Sequence, residues 1–119
     1  MSLSIEQRKQ MIRDAGEPKK GHHWMLQRFD REGVDYRPVE LKTQFKSEDG
    51  KLVAHRIDKD SYTILDLDTS YIVARVRGRK EAKAFIEELG SEWNVLVDLL
   101  FKGDDRTIKR VREVCRRYA

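Results

Sequence analysis

The apolar residues of this chain keep two different periods, and the change from one to the other divides it into segments. Between Ser4 and Gly16 only Ile5, Met11, Ile12 and Ala15 are apolar, a thin stripe at helical spacing. Ser4 with Gln7 three residues on forms a capping box, Gly16 is a stop signal and Pro18 follows it, so the first element predicted is a largely polar helix. His22, Met25, Leu26 and Phe29 then fall at i, i+3, i+4 and i+7, which predicts a second helix over 21–32 that ends at Gly33. From Val39 the period is two. Val39, Leu41, Thr43 and Phe45 alternate with Glu40, Lys42, Gln44 and Lys46, as in a half-buried strand.

Glu48-Asp49-Gly50 suits a three-residue hairpin loop with the glycine left-handed, which sets Phe45 opposite Val53, Thr43 opposite His55 and Leu41 opposite Ile57. A second hairpin joins 62–67 to 72–77, with Leu67 facing Ile72, Leu65 facing Ala74 and Thr63 facing Val76. Beyond it, Ala82, Phe85, Ile86 and Leu89 mark a helix over 80–89 with Gly90 as its stop. The run 93–101 has two readings. As a strand it gathers Trp93, Val95, Val97, Leu99 and Phe101 on one face; as a helix it gathers Asn94, Asp98 and Lys102 outward, and the cap signals Ser91 and Gly103 favour the helix. The last helix starts at a cap on Asp104 or Asp105 and turns Ile108, Val111, Cys115 and Tyr118 inward. The expected fold is a single α+β domain: an N-terminal helical segment over 1–33, a four-stranded antiparallel meander over 39–77, and two or three C-terminal helices over 79–119.

Composition changes this picture little, but charge adds to it. A chain of 119 residues can bury one modest core, and 39% charged residues, against roughly 25% in an average domain, call for a surface crowded with side chains of both signs. The net charge of +4 belongs to the last segment, where Lys102, Arg106, Lys109, Arg110, Arg112, Arg116 and Arg117 outnumber Asp104, Asp105 and Glu113. One cysteine, Cys115, closes no internal disulfide, and no stretch resembles a signal peptide or a membrane span, so a cytoplasmic protein is expected.

On the last helix, Arg106, Arg110 and Arg117 fall close together with Lys109 and Arg116 beside them, a basic face suited to phosphates. On the strand 71–77, Tyr71, Val73, Arg75 and Arg77 share one face, and Arg79 follows it. That face is either a platform for a base and its phosphates or a solvated surface whose arginines pair with Asp66 and Asp68 on the neighbouring strand. Trp24 and Arg28 lie four apart on the predicted second helix, where a cation–π contact could anchor a protein partner. His22 and His23, adjacent on a predicted helix, point about 100° apart, and His55 is expected on a distant strand, so no metal site is expected, and no cofactor is implied. Asp35 with Glu40-Leu41-Lys42 faintly echoes the carboxylates and lysine of metal-dependent nucleases.

The expectation from these residues is a non-enzymatic nucleic-acid-binding protein that uses Arg106, Lys109, Arg110, Arg116 and Arg117, with Arg75, Arg77 and Arg79 as secondary contacts. The alternative is a module that binds an acidic protein through Trp24 and Arg28. A nuclease is the remote third reading.

Overall fold

Helix α1, Ile5–Ala15, opens on the expected capping box: the Gln7 N–H donates to Ser4 Oγ at 3.1 Å and the Ser4 N–H to Gln7 Oε1 at 2.8 Å. It stops at Gly16, whose φ of 83° a side chain would disfavour. The computed structural model describes residues 3–29 and 35–118.

The predicted second helix is a strand. β1, His22–Arg28, pairs antiparallel with β2, Tyr36–Lys42, in an unbroken register from His22 opposite Lys42 to Arg28 opposite Tyr36. Three apolar side chains and a histidine at helical spacing are a weak claim, because a short isolated helix is marginal in water, whereas the ladder to β2 satisfies the backbone groups on one side of the strand. Gly33, the expected helix end, lies outside the described residues.

The expected strand from Val39 to Lys46 is likewise two elements. The Thr43 N–H donates to Gly21 O, in the β1–β2 ribbon, and the next residue's N–H, that of Gln44, donates to Ala54 O in a second sheet, both at 2.8 Å. The chain thus changes sheets between consecutive residues. The second sheet has the order β3-β4-β5-β6, all antiparallel, with β3 Phe45–Lys46, β4 Leu52–Arg56, β5 Ser61–Asp66 and β6 Ile72–Arg77.

Both hairpins form, and both are shifted by one residue from the expected register. Phe45 faces Ala54 rather than Val53, because the loop spans four residues: the Ser47 N–H donates to Leu52 O, and Gly50 sits at φ 75° as foreseen. Thr63 faces Arg75 rather than Val76, and a bulge between Ile64 and Leu65 slips the register again. Leu52, Val53, Ala54 and His55 are all buried, so β4 is covered on both faces and shows no alternation from which a register could be read.

A single helix, α2, Arg79–Phe101, replaces the helix over 80–89 and the ambiguous run after it; α3, Asp105–Tyr118, follows. Gly90 is no stop. A Cβ on it would come within 2.7 Å of Ser47 Cβ, so the glycine lets α2 lie against the β3–β4 hairpin. Phe85, Leu89 and Trp93 face Leu52, Ala54, Tyr62, Ile64 and Val76 across the helix–sheet interface, and all are buried. Burying Phe85 and Leu89 fully is worth about 1.5–3 kcal/mol each. Helices α2 and α3 cover one face of the four-stranded sheet. The ribbon meets the other, where His23 of β1 reaches His55 of β4, and α1 packs against the ribbon, tied to it by the Trp24 indole N–H donating to Gly16 O and to the turn between β5 and β6 by Arg8 donating to Thr69 O at 3.1 Å. The molecule is therefore an α+β domain with two antiparallel sheets and two C-terminal helices. Among the described residues no helix is long and apolar enough to cross a membrane.

Candidate functional site

Helix α3 begins where Asp104 Oδ2 accepts from the Thr107 N–H at 3.0 Å and the Thr107 hydroxyl at 2.7 Å. Thr107, Val111 and Val114 are its buried residues, with Ile108, Cys115 and Tyr118 half-buried to either side. The stripe points inward as expected, turned slightly toward α2.

That turn sorts the basic residues into two groups. Arg110 reaches Glu92 at 3.3 Å and Glu88 at 3.9 Å, and Arg117 also bonds Glu88. Glu88 accepts from the Tyr118 hydroxyl as well. This bond first, and then Arg117 and Arg110, hold its carboxyl below the ordinary range. Two of the five expected phosphate ligands thus lie along the α2–α3 seam. Arg106, Lys109 and Arg116 are exposed, and so is Arg112, which was not among the expected ligands. At about 100° per residue Lys109, Arg112 and Arg116 fall within about 60° of one another, with Arg106 about as far again beyond Lys109. No carboxylate among the described residues comes within ion-pair distance of these four.

Arg112 also lines a groove of about 440 Å³ between β6 and the α2–α3 corner, with Tyr71, Val73, Phe101, Ile108 and Cys115. Tyr71 is 37% exposed and stands edge-on to Phe101, ring centroids 5.2 Å apart. Burial pushes the Cys115 thiol up, and the thiol donates to Val73 O at 3.5 Å, so it is poorly suited to act as a nucleophile. The periodicity of α3 could have shown Arg112, but the groove needs three elements brought together and has no sequence signal.

The sheet arginines do not pair with Asp66 or Asp68. Asp66 does not face solvent beside Arg75. It is 2% exposed, on the helix-covered face, where Oδ2 accepts from the Thr69 N–H and hydroxyl and Oδ1 from the Trp93 indole N–H. Asp68 pairs with Lys51 at 3.3 Å. Arg75 stands in one row with Thr63 and His55, on the ribbon side of the sheet. With Arg77, Ser61 and Ile57 it borders a concavity of about 410 Å³. Asp58 lies at this concavity, its carboxyl lowered first by the Asp60 N–H and less by Arg77. Arg79 turns away and stacks on Phe45 at 5.4 Å.

Trp24 and Arg28 are four apart on a strand, hence about 13 Å, too far for the expected cation–π contact. Such a contact forms instead between Arg37 and Phe29, at 5.0 Å. Asp35 pairs with Arg37 at 2.9 Å and Glu40 with Lys19 at 3.8 Å. Among the described residues no group of three or more His, Cys, Asp or Glu is placed to hold a metal ion.

The histidines make the least expected contact. His23 Nε2 and His55 Nδ1 share a hydrogen bond of 2.9 Å, and His23 Nδ1 bonds Thr43 Oγ1 at 2.7 Å. Burial first, then the neighbouring His55 and His22, lower the His23 pKa to about 4, and burial lowers that of His55. No protein-family model, no curated protein and no solved structure matches the chain, so function is read from the side chains that the fold places together.

Proposed function

We propose that the chain is a non-enzymatic nucleic-acid-binding protein that contacts phosphates through the solvent face of α3. One observation carries this reading: Lys109, Arg112 and Arg116 share an exposed face with no ion-pair partner among the described residues, while the acids of α2 hold Arg110 and Arg117, and Asp104, with Glu113 about two turns further on, moderates Arg106. Cations already paired release little when a phosphate arrives; unpaired ones displace the counterions that a nucleic acid condenses. Arg110 and Arg117 then act by holding α3 against α2.

The test is an electrophoretic shift assay across a salt series with Lys109→Glu combined with Arg116→Glu. Both side chains point away from the core, so folding is retained, and the salt slope falls by about 0.7–0.9 for each phosphate that the variant no longer neutralises. Unchanged affinity with unchanged slope removes this face from the mechanism. Saturable binding to an acidic protein that nucleic acid does not compete away would overturn the reading in favour of a protein partner.

A further inference from the structure

We infer that the nucleic acid taken by this chain is single-stranded, with an unstacked base seated in the groove between β6 and the α2–α3 corner. The inference rests on the phosphate-binding reading of α3 and deepens it. Ile108 and Cys115 occupy the flank of α3 that turns into the groove, and Lys109 and Arg116 occupy the solvent face. Arg112 lies between them and lines the groove itself. The apolar hollow and the unpaired cations therefore share an edge, so a strand whose phosphates lie on Lys109 and Arg116 passes its bases over the opening. None of the residues lining the groove is acidic, and the raised Cys115 thiol stays neutral, so nothing there repels an adjoining phosphate.

The chemistry of the hollow favours a base. Tyr71 keeps more than a third of its surface in water while its orientation is fixed against Phe101, which gives a pre-set aromatic for stacking. Stacking needs only a π-face, which every base has, and asks for no hydrogen-bond code. A duplex hides those faces within its own stack, and exposing one costs a few kcal/mol. At about 440 Å³ the groove also lies within the usual range of small-ligand pockets.

Fluorescence anisotropy at fixed salt compares a labelled oligothymidylate, an abasic strand of equal length and a duplex of equal length. The wild-type protein is expected to bind the base-bearing strand about tenfold more tightly than the abasic one, and more tightly than the duplex. Tyr71→Leu, which keeps apolar bulk against Phe101, should remove most of that tenfold preference and leave the salt slope unchanged; Tyr71→Phe should restore the preference. Lys109→Glu with Arg116→Glu should weaken every ligand. Equal binding of all three ligands, tighter duplex binding, or a Tyr71→Leu variant that retains the preference overturns the single-strand inference and leaves the α3 reading standing. Binding to none of them overturns both, including the case in which an apolar side chain of an acidic protein fills the groove.

Discussion

Asp66 shows how one residue's role can reverse between sequence and fold. As a member of an alternating strand it belongs with the exposed acids, a neighbour for Arg75. In the molecule its carboxylate meets three donors: the Thr69 N–H, the Thr69 hydroxyl and the Trp93 indole N–H. The contacts within the turn span only three residues, but the alternating pattern of the strand set Asp66 on the solvent face and hid them. The contact with Trp93 was not legible either, because 27 residues separate it from Asp66. Asp66→Asn is therefore expected to destabilise the fold by about 2 kcal/mol rather than to unmask positive charge, because an amide NH₂ must face one of those donors. A lower urea midpoint with unchanged polyanion affinity is the expected result. A midpoint equal to wild type would mean the buried network is not needed.

At the scale of elements, one predicted helix became a strand, one predicted strand divided between two sheets, and two predicted elements fused into a single helix. Glycine is both a helix stop and the residue that allows close approach, and the two roles look the same in a sequence. Gly90 takes the second role, in the middle of the 23-residue α2, because Ser47 of the β3–β4 hairpin presses on it. Gly90→Ala separates the two. Helix propensity alone favours alanine by about 1 kcal/mol. Crowding against Ser47 costs about 1–3 kcal/mol, since neither the helix nor the hairpin backbone gives way easily. Thermal melting should show a net loss of stability, and the same Gly90→Ala change should cost less in a Ser47→Gly background, where the hydroxyl's bonds to Asp49 and the Leu52 N–H are already lost, than in the wild type. A stabilised single variant would show that helix and hairpin can separate at little cost. The capping box of α1, the loop glycine Gly50 and the stripe of α3 were legible because each depends on residues within one or two turns of each other.

For the whole molecule, the contact between His23 and His55 joins the ribbon to the four-stranded sheet, alongside the Leu26 N–H that donates to Ser70 Oγ. His23 is 1% exposed and His55 5%. One nitrogen of the shared bond must donate and the other accept, so the pair tolerates one added proton but not two facing N–H groups. Both pKa values are lowered in the folded state, so the unfolded chain takes up protons first. Stability is complete above the ordinary histidine value of about 6.5 and declines as pH falls from there toward 4. The His23 contribution is on the order of 3 kcal/mol across that window. Urea unfolding at about pH 7 and about pH 5 should show a loss that His23→Gln reduces, ahead of the carboxylate range. An unchanged slope in the variant would place the pH dependence elsewhere. By itself the sequence determined the α+β class, the caps of α1 and α3, the approximate hairpin positions and the basic bias of the last helix, because each rests on short-range geometry and local charge. Tertiary structure alone decided that 22–28 is a strand, that the chain changes sheets at Thr43 and Gln44, which cations remain unpaired, and that a groove opens beside Arg112. Those outcomes depend on which surfaces meet. A chain that can satisfy its backbone in more than one way takes the arrangement that buries the most apolar surface with the fewest unpaired polar groups.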